Sequence, residues 1–400
     1  MTEFPLAGVT LTLPDSFTVR ALEAGDDADR EAVIRFVKKS PDRTIYHGAP
    51  YFSFARNQNS RPDITLAELI LVSRNGNPLF ALPIHPRGRS IPTHYSGALF
   101  PEGRHERTLR RSVEALAELF AANQTLCFSC VQAAVAPAYE DGARLTLLER
   151  FLAGFNVPLE RIYTRMVRVG DWTGCDAILG GAGGDPAHAV KVDQMALEGD
   201  QLATYDSDVR NQIRQAIRNG VEITYFLADT AESRAAAYEA FTPVHEASWR
   251  RTGMRPHGLD YWIKFSTAIT DGGGRDLIVI ASATGGGPVA AVTFHLYEGR
   301  AIYWAGVSLE AGQHLRANPL CLHAAMTIGA ALGARVVELG RFLPREPSPK
   351  ERGITDYKAQ FGGELTRVVA FSSPLRRRDQ LALISRRAAH AALASITSRG

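Results

Sequence analysis

Two distant stretches of this chain carry the same pattern, and a chain that repeats itself has few folds open to it. Residues 95–105 read YSGALFPEGRH and residues 304–314 read WAGVSLEAGQH. Aligned without a gap, Tyr95 falls on Trp304, Gly97 on Gly306, Gly103 on Gly312 and His105 on His314. With one residue of slack, Pro78, Ala81 and His85 of NPLFALPIH fall on Pro288, Ala291 and His295 of GPVAAVTFH. Each copy leads into a helical pattern and then a strand. Arg107 to Asn123 sets Leu109, Val113, Leu116 and Phe120 on one face, as an amphipathic helix does. Leu320 to Leu332 is apolar nearly all round and predicts a buried helix. Strands are expected at Leu126–Val131 and Val336–Leu339. Two matched blocks in the same order, each followed by helix and strand, point to a duplicated α/β unit.

Size agrees. The 400 residues exceed the ~250–300 that one hydrophobic core supports, so two domains are expected. With 45% apolar residues and a formal charge of +3, the chain is neither disordered nor a protein that coats nucleic acid by bulk charge. Four cysteines are too few for a disulfide framework. The longest apolar run, Leu320 to Ala334, carries His323 and falls short of the ~20 residues that span a bilayer. Met1 to Pro14 lacks the basic-then-apolar order of a leader, so a cytoplasmic protein without membrane partners is expected.

Residues 170–189 are rich in Gly, Asp and Pro, as a linker is. The expected organisation is a first domain at 1–170, a linker at 171–199, a second domain at 200–373 and an amphipathic C-terminal helix at 374–400. That helix would set Leu381, Ile384, Ala388 and Ala392 on one side among several arginines.

Several familiar signatures fail. Cys127-Phe-Ser-Cys130 is a lone C-x-x-C inside an expected strand, where positions three apart face opposite ways, so no zinc site is proposed. The Gly clusters at 180–184, 272–274 and 285–287 lack the Lys-Ser/Thr ending of a phosphate loop. No G-x-S-x-G elbow is present. His47, His85, His295 and His314 have no ligand spacing with an acidic partner and read as structural, so no metal is expected. The [RQ]-x-x-G-x-[GA] turn with which acetyltransferases of the GNAT superfamily hold the coenzyme A pyrophosphate is also absent. Its place is taken by Gly312-Gln-His-Leu-Arg-Ala-Asn-Pro319, which reads as a helix start with Asn318 as N-cap and Pro319 as first helical residue.

The run Glu338-Leu-Gly-Arg341, followed by Gly353-Ile-Thr-Asp-Tyr-Lys358-Ala-Gln-Phe-Gly362, resembles the Fem family of aminoacyl-tRNA-dependent transferases and its FemAB-like and BioF2-like relatives. That family carries D-x-G-[RS], then G-[ILV]-x-x-[FY]-K-x-x-[FW]-G. Here Glu338 stands for Asp, and Tyr357 fills the aromatic position. Ser207 to Val221 resembles the basic helix that opens the family's second domain, and Arg43-Thr-Ile-Tyr46-His47 the segment that opens its first. The resemblance covers most of the chain. It implies an α/β fold made of two GNAT-like domains in tandem, of the acyl-CoA N-acyltransferase type, with the active-site cleft in the second. The long helical arm that some members use for tRNA has no counterpart here.

The resemblance assigns to Lys358 the stabilisation of the oxyanion formed in acyl transfer. By spacing alone it reads instead as a surface lysine on a short helix ended by Gly362-Gly363. Arg341 ends a strand where α/β ligands bind and could clamp a phosphate or carboxylate, or pair with Glu338 or Glu351. Tyr303 and Trp304 lie on the central strand of the repeat, one facing the core and one the cleft. Arg316 and Asn318 stand where a phosphate loop would be, and Tyr357 adjoins the lysine. These six residues are the candidate substrate contacts. Arg210, Arg214 and Arg218 recur at helical spacing as a basic stripe that suits RNA phosphates or plain solvent. No general base stands out: Glu338 and Asp356 are candidates, and the alternative is that the amine loses its proton on its own or through water. The expected activity is transfer of an aminoacyl group, from aminoacyl-tRNA, to a small-molecule or peptide amine, with no tightly bound cofactor. An acyl-CoA-dependent N-acyltransferase and a non-catalytic ligand-binding protein are the alternatives.

Overall fold

The computed structural model describes residues 1–6, 9–41, 43–56, 68–84, 97–101, 106–123, 129–132, 142–179, 189–342 and 349–372. It divides into two compact units: Met1–Arg161 with Val368–Gly400, and Ile162–Arg367. The expected C-terminal helix at 374–400, and His85, His105 and Cys127, lie outside the described residues.

The first unit contains β1 (Thr2–Leu6), β2 (Val9–Leu13), β3 (Phe17–Ala21), α1 (Asp27–Lys39), α2 (Ala49–Arg56), β4 (Glu68–Arg74), β5 (Asn77–Ile84), α3 (Glu106–Ala122), β6 (Ser129–Gln132) and α4 (Gly142–Gly154). Strands β3, β4 and β5 form an antiparallel sheet. The spacing in α3 does what the sequence requires: Leu109, Val113, Leu116 and Phe120 are all buried, packed with Phe17, Phe80 and Phe100. His47 is locked into this unit. Its Nδ1 accepts from the Thr44 N–H at 2.9 Å, and its Nε2 donates to the Gly97 carbonyl at 2.9 Å.

The second unit starts within β7 (Leu159–Arg168) and continues through β8 (Val190–Lys191), α5 (Ser207–Arg218), β9 (Val221–Leu227), α6 (Ala231–Arg251) and α7 (Leu259–Asp271). The hairpin strands β10 (Arg275–Ala283), β11 (Pro288–Tyr297) and β12 (Arg300–Ser308) follow. Then come α8 (Glu310–His314), α9 (Ala317–Ala331), β13 (Val336–Phe342), α10 (Pro349–Ala359) and β14 (Glu364–Ser372). The sheet order is β14-β7-β13-β12-β11-β10-β9-β8, antiparallel at β11–β12 and parallel at β12–β13. The last residues of β14 belong to the first unit, where Val369–Ser372 pair with Ser129–Gln132.

The repeat is visible in the pairing. Ala81 bridges to Leu99 in the first unit, and Ala291 pairs with Val307 in the second, before a long helix in each. Helix α9 is buried nearly all round, as its composition predicts, with Leu320, Leu322, Met326 and Ile328 in the core. Burying each such side chain is worth about 1.5–3 kcal/mol.

The stretch 171–199, expected as a linker, is instead core-forming where it is described. Ile178, Val192 and Leu197 belong to the second unit's hydrophobic cluster, and Val192 N–H pairs with the Ile223 carbonyl. Residues 180–188, which carry most of its Gly and Pro, lie outside the described residues.

Two buried histidines give this fold a pH dependence. His323 on α9 accepts from the Tyr205 hydroxyl at 3.1 Å and donates to the Leu197 carbonyl at 2.9 Å. Burial holds both His47 and His323 at about 4, below the usual 6.5. The unfolded chain therefore binds more protons than the folded one between pH 6.5 and 4, so stability is lost as pH falls through that window. His245 and His295 act the same way, and Asp276, raised to about 6 by burial, acts oppositely. The melting temperature should fall from pH 7 to pH 4.5; a flat or rising profile would contradict this account.

Candidate active site

The second unit's sheet opens at one place. Strands β12 and β13 pair only from Arg300–Ile302 to Val336–Glu338, yet β12 runs on to Ser308 and β13 to Phe342. Two local events separate them. In β12, Phe294 faces Tyr303 and Thr293 faces Ala305, so Trp304 is an extra, bulged residue. A bulge bends its strand and re-aims the side chains around it. In β13 the register slips between Glu338 and Arg341, where Gly340 takes a left-handed φ of 85°. On its other edge the strand pairs with β7 both before and after the slip, with Arg341 opposite Thr164. The glycine of the Glu338-Leu-Gly-Arg341 run is thus the residue that turns β13 away from β12.

A buried polar cluster fixes this divergence. Arg300 Nη2 donates to Glu338 Oε2, and both side chains are almost fully buried. The Thr164 hydroxyl lies 2.9 Å from both Glu338 Oε1 and the Gly340 carbonyl. Glu338 is therefore a structural acid, engaged on both oxygens, and not the general base its position suggested.

Lys358 comes to the opening from α10. Its ammonium lies 5.0 Å from the centroid of the Tyr303 ring, a cation–π contact worth about 0.5–2 kcal/mol. The Tyr303 hydroxyl reaches over Gly306, where a Cβ would stand 2.0 Å from it. Tyr357, beside Lys358, has a buried hydroxyl within reach of the Asn318 side chain. Burial and the nearby Tyr303 push its phenol well up, while the Asn318 side chain opposes the shift. Tyr303, Asn318, Tyr357 and Lys358 therefore meet, as four of the seven residues expected at the cleft.

The lysine's position is set by the turn that follows it. Phe361 is fully buried, its ring 5.2 Å from Tyr205 and 5.4 Å from Tyr357. Gly362 and Gly363 both have left-handed φ, 74° and 77°. A Cβ on Gly363 would stand 2.4 Å from the Met166 carbonyl oxygen, so only glycine fits there. The carbonyls of this turn are all claimed. Asp206 N–H donates to Gln360 at 2.9 Å, and Arg165 Nη1 donates to both Gly362 and Gly363 at 2.9 Å. Arg165, Thr164 and Arg300 escaped the sequence reading because they lie on strands outside every recognised motif.

The remaining expected residues are placed as follows. Trp304 packs on the opposite side from Tyr303, 4.9 Å from Phe265 and 5.4 Å from His295. Arg341 occupies a strand position opposite Thr164; its side chain lies outside what is described. Arg316, not Asn318, is the N-cap of α9, and it is exposed, with φ 58° and no side-chain capping bond. Helix α9 starts at Ala317, which leaves Asn318 and Pro319 inside the first turn. Proline fits there because first-turn N–H groups have no intrahelical partner. In α5, Val209, Ile213 and Ala216 are buried, Arg210 is half-buried and Arg214 and Arg218 are exposed. The stripe ends near the start of α9, where the Asn219 amide lies 3.5 Å from the Leu315 carbonyl. Among the described residues no group of three or more His, Cys, Asp or Glu could hold a metal ion.

Residues 207–359 match the acetyltransferase (GNAT) domain family. These residues form a GNAT acyltransferase domain. The solved structure of FemX is similar to this chain with a TM-score of 0.55 and 11% identity, covering 88% of this chain and 98% of FemX. A tandem GNAT protein from the clavulanic acid biosynthesis pathway gives 0.46 and 12%, covering 89% and 98%. The L-PGS structure from Bacillus licheniformis gives 0.46 and 11%, covering 91% and 98%. No curated protein matches the chain in sequence. The FemX likeness shows the fold, an α/β architecture of GNAT type. No helix among the described residues is long and apolar enough to cross a membrane.

Two substitutions separate scaffold from chemistry in this GNAT domain. Glu338→Ala strands the buried Arg300 and should cost about 3–5 kcal/mol of unfolding free energy. Arg165→Ala removes two charge-assisted hydrogen bonds, and a loss of about 2 kcal/mol is expected in chemical denaturation. Stabilities within 0.5 kcal/mol of wild type, the usual surface range, would refute both assignments.

Proposed function

We propose that the chain transfers an aminoacyl group from an activated ester to an amine, forming an amide. The observation that carries this reading is the Lys358 ammonium held over Tyr303 where β12 and β13 part, inside a GNAT domain. Attack of the amine nitrogen on the ester carbonyl forms the N–C bond and puts negative charge on the carbonyl oxygen. Lys358 stabilises that charge; one such donor is worth about 3–4 kcal/mol of barrier. As the C–O bond breaks, the departing oxygen takes up a proton, for which the buried Tyr357 hydroxyl beside Lys358 is the proposed donor. The amine loses its proton to water or to its own surroundings, since Glu338 is engaged with Arg300 and Thr164.

Aminoacyl-tRNA is the donor of this reading, met in the cytoplasm, with Arg210, Arg214, Arg218 and Arg316 contacting its phosphates. The sequence argument against coenzyme A loses force, however. Asn318 makes no N-cap, so no side chain occupies the first-turn N–H groups of α9. That open helix start favours, as the second reading, an acyl-CoA donor whose pyrophosphate it would hold.

The donor is separable by experiment. Purified protein is incubated with candidate amines and either charged tRNA or acyl-CoA, with and without RNase. Amide that disappears with RNase supports the tRNA donor; amide that survives RNase and needs the thioester establishes the second reading. Lys358→Ala should lower kcat about 10²–10³-fold with KM nearly unchanged and stability within about 1 kcal/mol. Lys358→Arg should restore only part of the rate, because its charge sits in a different geometry. Near-wild-type turnover in the alanine variant would end the proposal.

A further inference from the structure

At the level where β12 and β13 part, one row of residues crosses the sheet. Asp276 on β10 stands opposite His295 on β11, and His295 opposite Ile302 on β12. Ile302 is then paired with Glu338 on β13, and Glu338 with Met166 on β7. Residues directly opposite on neighbouring strands share a face of the sheet. Asp276 and His295 therefore look to the same side, that of α6 and α7, and both are wholly buried. Asp276 Oδ1 and His295 Nε2 lie 3.6 Å apart. That is too far for a hydrogen bond, yet near enough for each group to feel the charge of the other.

Burying two ionisable side chains face to face costs free energy that an apolar pair does not. Asp276 is well held without the histidine. Its Oδ2 accepts from the Tyr238 hydroxyl at 2.6 Å, and the Ser266 side chain is a second donor. Arg234, hydrogen-bonded to Ser266 and Thr270, brings positive charge from α6, and Asp229, engaged by Arg275, opposes it. The imidazole reaches the other way as well. Its ring packs 5.4 Å from Trp304 and 5.0 Å from Phe265. Trp304 is the bulged residue at the opening and keeps part of its surface in solvent. A chain of contacts, Tyr238 to Asp276 to His295 to Trp304, thus joins a buried carboxylate to the edge of the candidate site.

Two groups this close titrate as one unit, and a proton taken up belongs to the pair. Burial raises the acid to about 6 and lowers the histidine to about 3, so the first proton enters near pH 6. Placed between Oδ1 and Nε2, it makes a hydrogen bond whose ordinary length, about 2.7–3.0 Å, is shorter than the present separation. The imidazole moves to close that distance, and Trp304, packed on its ring, follows. We propose that Asp276 and His295 are positioning residues for acyl transfer: the deprotonated pair holds Trp304 in place beside the gap, and a proton entering the pair displaces the indole. The effect on rate rests on the acyl-transfer reading; the movement of Trp304 does not.

Indole N–H resonances of the 15N-labelled full chain, with no substrate present, test the movement. The chain has four tryptophans, and the Trp304 signal is the one missing from Trp304→Phe. In wild type it should follow a single transition centred near pH 6. Asp276→Asn keeps an acceptor for Tyr238, and His295→Phe keeps a ring against Trp304. In each the signal should remain and the transition vanish, with melting curves showing that the variant is folded. A flat Trp304 signal in folded wild type, which needs no variant to interpret, would overturn the proposal, as would a transition that survives either substitution. In the amide-forming assay, kcat/KM should fall through the same inflection on the acid side in wild type and in Lys358→Arg, but not in Asp276→Asn. A merely structural pair would lower the melting temperature of Asp276→Asn and leave the inflection in its profile, which would also overturn the proposal. Amide formed without a Trp304 transition would remove the pair and leave the transferase standing. A Trp304 transition with no amide from any donor would remove the acyl-transfer reading and leave the coupling of the pair to Trp304 established.

Discussion

The second unit is organised around the parting of two parallel strands that pair over three rungs and then separate. A parallel pair does not open without cause, because every unmade rung leaves backbone groups needing other partners. Here Gly340 supplies the left-handed residue that lets β13 turn, β7 stays paired along the strand's other edge, and the Arg300–Glu338 pair with Thr164 pins the last shared rung. Five of the candidate site residues sit beyond that rung: Tyr303 and Trp304 on one strand, Arg341 on the other, with Tyr357 and Lys358 on the helix that follows. Buried ion pairs contribute little net stability, so this one is better understood as fixing a conformation.

Much of this was legible in the sequence. The repeat predicted two α/β units, and the periodicity of α3 and the apolar run of α9 predicted which faces are buried. The motif containing Lys358 predicted the turn, since Phe361, Gly362 and Gly363 each have a physical reason to be what they are. The failures share a cause. Asn318 looked like a cap because local chemistry favours it, but tertiary packing started the helix two residues earlier and turned Asn318 toward Tyr357. The stretch 171–199 looked like a linker because glycine and proline mark turns, whether or not the turns are packed. Arg165 was invisible because its role is defined by contacts nearly 200 residues away, with Gly362 and Gly363.

The two faces of the opened strand differ in character, and the bulge at Trp304 is why both can be used. Side chains alternate along a strand, so Tyr303 and Trp304 look opposite ways. One meets a cation, the other a line of rings.

The turn after Lys358 is held through its main chain. Asp206 and Arg165 grip carbonyl oxygens, which every amino acid possesses, and only Phe361 and the two glycines contribute through their own side chains or lack of them. Residues such as Ala359 and Gln360 are therefore free to vary in evolution without moving the lysine. A side chain mounted in this way keeps its place while the sequence around it drifts.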